Sequence, residues 1–239
     1  MSVLTLVRHG QASFFADDYD RLTSLGEQQS QLLGEYWARH GARFDAVYTG
    51  PRARQQRSAE IAGGAYRQAG DPWPEPVALP DLDEFDLHGL VHQLVPELCR
   101  QNAGFAALVD TFRQSAEEHD RLRAFQRMFE PLLVHWQSLP AGHDGVESWP
   151  EFRNRVERVL HQIIAPAGSG RRIVMFTSGG FIGAATRLAL AAPDRSALEL
   201  AWRLRNSSLT EFVFTHDRFS LDSFNTVPHL PDSALWTYR

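Results

Sequence analysis

The apolar run Val3-Leu4-Thr5-Leu6-Val7 passes without a spacer into Arg8-His9-Gly10, and this junction constrains the chain more than any other stretch. A short run without polar alternation reads as a strand buried on both faces. Glycine at its end lets the backbone turn sharply. Open α/β sheets bind ligands beyond the carboxyl ends of their strands, which is where Arg8 and His9 then stand. Arginine offers a phosphate a planar fork of donors, and a neutral histidine is a competent nucleophile near pH 7. Taken alone, the tripeptide reads more readily as a surface loop. Three later stretches reverse that.

The rest of the chain alternates strand and helix. Phe14 to Arg21 reads as a loop over the strand end. Ser24-x-x-Glu27 has the form of a capping box, and Leu25, Leu32, Leu33, Tyr36 and Trp37 give the helix that follows an apolar face. Asp45 to Thr49 reads as a second strand, and a helix from about Pro51 to Gln68 carries Arg52, Arg54 and Arg57. A proline-rich connection, a short strand Val77-Ala78-Leu79 and the acidic loop Asp81-Leu82-Asp83-Glu84-Phe85-Asp86 come next. From Leu90 to about Leu139 the pattern is helical and charged with no strand signal, which predicts an inserted helical cap over about residues 88–147. Ser148-Trp149-Pro150-Glu151 starts a helix to about Ile164, Arg172 to Thr177 is a buried strand, and Ser178-Gly179-Gly180 opens a helix to Leu190. Two strands, Leu209–Phe214 and Phe219–Phe224, close the chain. With right-handed crossovers this predicts one α/β domain over residues 1–239: a three-layer sandwich around a mostly parallel sheet, carrying the cap.

Composition excludes several classes of function. A net charge of −5 argues against a general nucleic-acid or membrane-surface binder, so an anionic substrate needs a local basic pocket. All 24 basic residues are arginine, which reads as the codon usage of a GC-rich bacterium and excludes a Schiff-base lysine or a Walker-type phosphate loop. The one cysteine, Cys99, excludes an internal disulfide and an all-cysteine metal site. No secretory signal opens the chain and no apolar run approaches the ~20 residues of a membrane span, so the expected compartment is the cytoplasm.

Arg8-His9-Gly10 after an amino-terminal strand, together with Tyr19-Asp20-x-Leu22-Thr23-x-x-Gly26-x-x-Gln29, resembles the histidine phosphatase superfamily, the phosphoglycerate-mutase-like enzymes, in its bacterial phosphatase branch. Members pass a phosphoryl group to the histidine and then to water, with no metal and no cofactor. The stretch Gly50-Pro51-Arg52-Ala53-Arg54-Gln55-Gln56-Arg57-Ser58-Ala59 is similar to the family's serine-proline-x-x-arginine-alanine-x-x-threonine-alanine segment. The resemblance makes Arg54 the second phosphate arginine, with Gly50 standing for the serine and Ser58 for the threonine. Arg52 and Arg57 are left as surface residues. Glu84, two residues after Leu82, matches the family's general acid, with Asp86 in reserve. A carboxyl beside bound phosphate is kept protonated by like charge.

One stretch departs from the family pattern. Thr177-Ser178-Gly179-Gly180 stands where the family has serine or threonine, histidine and two glycines, so Ser178 takes the place of the second catalytic histidine. A hydroxyl can donate one hydrogen bond but carries no charge, and losing one preorganised donor of this kind costs on the order of 10²–10³ in rate. His88 and His143 are the candidates to substitute, because they flank the cap's connections. Gln11 and Ser13 are plausible contacts around the phosphate. The expected function is hydrolysis of a small phosphomonoester through phosphohistidine at His9, with Arg8, Arg54, Ser178 and Gln11 binding substrate and Glu84 protonating the leaving oxygen. The rival is a pseudoenzyme that keeps Arg8, His9 and Arg54 as an anion-binding site. A mutase is a weaker third reading.

Overall fold

The structure is a computed structural model, and it describes residues 1–13, 20–141 and 145–238. Two compact units divide the chain. The first comprises Met1–Glu84 and Val156–Arg239, and the second Phe85–Arg155.

In the first unit six strands form one sheet: β1 Ser2–Arg8, β2 Ala46–Thr49, β3 Val77–Ala78, β4 Arg172–Thr177, β5 Leu209–Phe214 and β6 Phe219–Thr226. Their order is β3-β2-β4-β1-β5-β6. β1, β2, β3 and β4 run parallel, and β5 turns antiparallel against both β1 and β6. β1 is therefore bonded on both sides, which explains its unbroken apolar run. Alternate residues of β1 point to opposite faces. On one face Val7, Val47, Val174 and Phe176 pack with Leu33, Trp37, Ala59, Ala62 and Tyr66 from two helices, α1 Ser24–Arg39 and α2 Ala53–Gln68. The opposite set, Leu4, Leu6, Ile173 and Met175, is equally buried. Helix α7, Gly179–Ala189, lies against β1 and β6 with α8, Arg195–Ala201, packed on it. The sheet is the middle of three layers, as its apolar runs predict.

The second unit contains three helices, α3 Leu87–Gln101, α4 Ala103–Gln114 and α5 Glu118–Ser138. Asn102 ends α3 and caps α4 by accepting from the Phe105 N–H at 3.0 Å. Its core is aromatic, with Trp136 within 6 Å of the Phe85, Trp149 and Phe152 rings. α6, Trp149–Ile164, follows. Its capping box forms as the sequence predicts: the Ser148 N–H and hydroxyl both donate to Glu151 Oε2, at 2.8 and 2.6 Å.

Several boundaries differ from expectation. The cap of α1 is Thr23, whose hydroxyl accepts from the Gly26 N–H at 3.1 Å; Ser24 is the first helical residue. Pro51 precedes α2 by two residues, with Arg52 as its N-cap. The run from Leu90 to Leu139 is broken into three helices. α8 and a 3-10 turn at Ser233–Leu235 were not anticipated, because both are too short for periodicity to register.

A buried histidine makes this unit acid-sensitive. His229 is 4% exposed, with Nε2 2.9 Å from the Ser207 hydroxyl, and burial lowers its pKa to about 3. The unfolded chain therefore binds a proton that the folded one refuses as pH falls below about 6.5. This stabilisation is complete above pH 6.5 and is lost on the way down to about pH 3, at up to about 1.4 kcal/mol per pH unit. Thermal melts of wild type and His229→Gln at pH 7 and pH 4 should show a smaller fall in Tm for the variant.

Candidate active site

β1 and β4 end side by side, with Arg8 in register with Thr177, so His9 and Ser178 leave the sheet together. The His9 N–H donates to the Thr177 carbonyl at 3.0 Å, and the His9 carbonyl accepts from the Ser207 N–H at 3.1 Å. The backbone of His9 is thus fixed from β4 on one side and from the segment before β5 on the other. The turn after it is tight: a Cβ at Gly10 would collide with the Gly26 carbonyl, and one at Gly26 with the carbonyl of Gln11. Only glycines allow this approach of the loop to α1.

Two bonds fix the state of the His9 ring, which is 7% exposed. Nδ1 lies 2.7 Å from the Gly10 carbonyl, an acceptor only, so Nδ1 carries the proton. Arg54 Nε, a donor only, points at His9 Nε2 at 3.2 Å, so Nε2 presents a lone pair. Burial is the main force lowering the His9 pKa well below 6.5, and the positive charges of Arg54 and then Arg8 add to it, while the Gly10 carbonyl opposes them. His9 is a neutral imidazole whose Nε2 carries the free lone pair.

Arg54 stands in the first turn of α2 with its side chain 5% exposed, and Nη1 pairs with Asp20 Oδ1 at 2.7 Å. The same carboxylate accepts from the Ala53 N–H at 2.6 Å, capping a helix whose own N-cap, Arg52, makes no side-chain cap bond of that kind. Arg8 Nη1 donates to the Leu204 carbonyl and, at 2.8 Å, to that of Tyr238. Carboxyl-terminal backbone thereby orients a guanidinium from the amino-terminal strand.

Glu84 is half-buried, and its Oε2 accepts from the Gly180 N–H at 2.8 Å, in the first turn of α7. Two further contacts place its loop. Thr177 Oγ1 donates to the Leu82 carbonyl at 2.8 Å, and Asp83 Oδ1 accepts from the Glu84 N–H and from Arg52 Nε, both at 2.7 Å. Arg52 is therefore a partly buried strut between α2 and this loop, not the surface residue that the sequence suggests. Arg57 is exposed between Glu27 and Glu60, as expected.

Ser178 is 1% exposed, and its hydroxyl accepts from Gln55 Nε2 at 2.8 Å. Gln55 is a residue that sequence reasoning passed over; its only signal was standing at the family's alanine position. Asp20 was missed as well, because its thirty-odd residues of separation from Arg54 give no periodicity to read. Gln11 anchors the loop. Its N–H donates to Gln29 Oε1 at 2.9 Å and its Oε1 accepts from the Thr23 hydroxyl at 2.9 Å. His88 is exposed on α3, and Asp86 is the N-cap of that helix. His143 lies outside the described residues, as does most of the Phe14–Arg21 loop. Among the described residues no group of three or more His, Cys, Asp or Glu side chains could hold a metal ion, and no helix is long and apolar enough to cross a membrane.

The sequence profile of the histidine phosphatase superfamily (branch 1) matches residues 4–115 and 108–227. No curated protein matches the chain. Among solved structures, phosphoserine phosphatase of Entamoeba histolytica with 3-phosphoglyceric acid aligns at 17% identity over 96% of this chain and 100% of that one, TM-score 0.60. Phosphoglycerate mutase of Bacillus anthracis aligns at 14% identity over 96% and 95%, TM-score 0.63. A mycobacterial glucosyl-3-phosphoglycerate phosphatase with inorganic phosphate aligns at 17% identity over 95% and 98%, TM-score 0.63. At these identities the likeness is one of fold.

A buried hydroxyl ties the backbone after His9 to α2. Ser58 Oγ, 1% exposed, accepts from the Gly10 N–H at 3.0 Å and donates to the Arg54 carbonyl at 2.8 Å. Ser58→Ala leaves the buried Gly10 N–H without its acceptor and should destabilise the protein by about 1–3 kcal/mol, read from urea denaturation midpoints at unchanged m-value.

Proposed function

The chain belongs to the histidine phosphatase superfamily (branch 1), and on that premise we propose that it is a phosphomonoester hydrolase working through a phosphohistidine at His9. The observation that carries this reading is the ring of His9: neutral, with its proton directed to Gly10 and its Nε2 lone pair facing Arg54. Such an atom is ready to attack phosphorus without first losing a proton.

In the proposed reaction the phosphoryl group lies against His9 Nε2. Arg54 Nε–H shifts from that lone pair to a phosphoryl oxygen, and Arg8 bonds another. Nε2 attacks phosphorus, the ester P–O bond breaks, and Glu84 gives its proton to the departing oxygen. Water then attacks the phosphohistidine. Glu84 takes the water's proton as the P–N bond breaks, and phosphate leaves a neutral His9. Every step needs only protein groups and water. The relatives solved with 3-phosphoglyceric acid and with inorganic phosphate support a small phosphorylated substrate. Residues 1–239 then act as one such domain in the cytoplasm, with a helical cap inserted over about residues 88–147. The second reading, an anion-binding pseudoenzyme, is favoured by one observation: an uncharged hydroxyl at Ser178 where the resembled enzymes have an imidazole.

A panel of phosphomonoesters separates the two. Wild type should release phosphate from at least one substrate and His9→Ala from none. Because burial and both arginines depress the His9 pKa, kcat/KM should show no loss of nucleophile as pH passes down through 6.5. Wild type that binds phosphate but turns over nothing would establish the pseudoenzyme.

Glu84→Gln tests the acid. An alkyl phosphate needs its leaving oxygen protonated, and its turnover should fall by about 10²–10⁴. An aryl phosphate leaves with little protonation and should lose much less. Equal losses would remove Glu84 from the role.

A further inference from the structure

Three departures from the resembled segments lie in one place. Gly50, Gln55 and Ser178 stand for a serine, an alanine and a histidine, and the fold sets them together. Gln55 is fully buried in the first turn of α2. Its Oε1 accepts from the Arg52 N–H at 3.1 Å, which fixes the orientation of the amide and leaves Nε2 facing Ser178 at 2.8 Å. A Cβ at Gly50 would collide with this same Oε1, so the glycine makes room for the glutamine.

The direction of the Gln55–Ser178 bond matters. An amide nitrogen only donates, so the Ser178 oxygen accepts and keeps its own proton for another partner. That proton is not used by the helix. Ser178 is the N-cap of α7, yet its side chain makes no cap bond, and among the described residues the hydroxyl donates to no acceptor. A phosphate arginine is close by: Arg8 Nε lies 3.8 Å from where a Cβ of Gly179, the next residue, would stand, and Gln55 follows Arg54 in the first turn of α2. A donor 1% exposed, on the residue before a glycine that the Arg8 guanidinium approaches, has the surroundings of an anion contact.

We propose that Gln55 and Ser178 together replace the missing imidazole as the fourth phosphoryl contact, Gln55 holding the hydroxyl so that its proton is presented to a phosphoryl oxygen. Ser178 touches the ligand, and Gln55 is a positioning residue acting through it. The inference rests on the phosphoryl-binding part of the proposed function and deepens it. Unlike an imidazole, this pair does not titrate in the physiological range, so its donor is present at every working pH.

The discriminating variant is Gln55→Glu. A carboxylate still accepts from the Arg52 N–H and suits a helix N-terminus, so the structural role is kept. Its other oxygen accepts the Ser178 proton, which takes that proton away from the ligand. Calorimetric titration with inorganic phosphate should show Ser178→Ala and Gln55→Glu each binding roughly 10–100-fold more weakly than wild type. In the Ser178→Ala background Gln55→Glu should cost clearly less than in wild type, because the hydroxyl through which it acts is gone and only charge repulsion remains. Denaturation midpoints of the same proteins show whether the fold is intact. An equal loss from Gln55→Glu with and without Ser178 would mean charge repulsion alone and would overturn the relay. Ser178→Ala, which removes one buried oxygen, decides the matter by itself should Gln55→Glu fail to fold: phosphate affinity equal to wild type overturns the proposal. Wild type that binds no phosphate overturns it too. The expected pattern of phosphate affinities without turnover of any phosphomonoester would uphold this inference and remove the hydrolase. Turnover through His9 with affinity unmoved in Ser178→Ala would do the reverse.

Discussion

The bond on which the site depends is the one from His9 Nδ1–H to the carbonyl of the next residue, Gly10, at 2.7 Å. It decides which ring nitrogen keeps a lone pair, and it exists only because the Gly10 carbonyl is turned back toward the ring. That turn in turn depends on α1. Gly10 packs on the Gly26 backbone, and Gly26 is held by the Thr23 cap, whose N–H also donates to the Gln11 carbonyl at 2.9 Å. Helix capping and the tautomer of the His9 ring are here a single arrangement. The sheet completes it, since β4 and the segment before β5 grip the His9 backbone from opposite sides.

The elements that could be read from sequence were those whose signal is local. β4 and β5 were expected at Arg172–Thr177 and Leu209–Phe214 and have those bounds, because a buried strand shows itself as an apolar run with definite ends. The Ser148–Glu151 box was legible for the same reason: both partners lie within one turn. Contacts that close over long separations were not. Asp20 on Arg54, Arg52 on Asp83 and Tyr238 on Arg8 join residues 31 to 230 apart, and no periodicity encodes them. Arg54 itself was picked out by the register of a resembled segment. Its neighbour Gln55 was read past, since a glutamine on a helix is most often a solvated side chain, and only the structure shows it wholly buried.

The arrangement also explains how a chain of net charge −5 can be built to take an anion. Charge within the site is close to balanced: Arg8 and Arg54 stand against Asp20 and Glu84. Asp20 is committed to Arg54 and to the amides of α2, so it orients the guanidinium at the cost of part of its attraction. A phosphomonoester dianion entering beside an ionised Glu84 would meet like charge, whereas beside a protonated Glu84 it meets a net positive site. Under the proposed reaction, the complex that binds best is therefore the one already carrying the proton that the leaving oxygen requires. In that reaction binding and acid catalysis would draw on the same electrostatic fact. An uncharged donor at Ser178 leaves that balance unchanged at every pH, whereas an imidazole in its place would shift it on protonation.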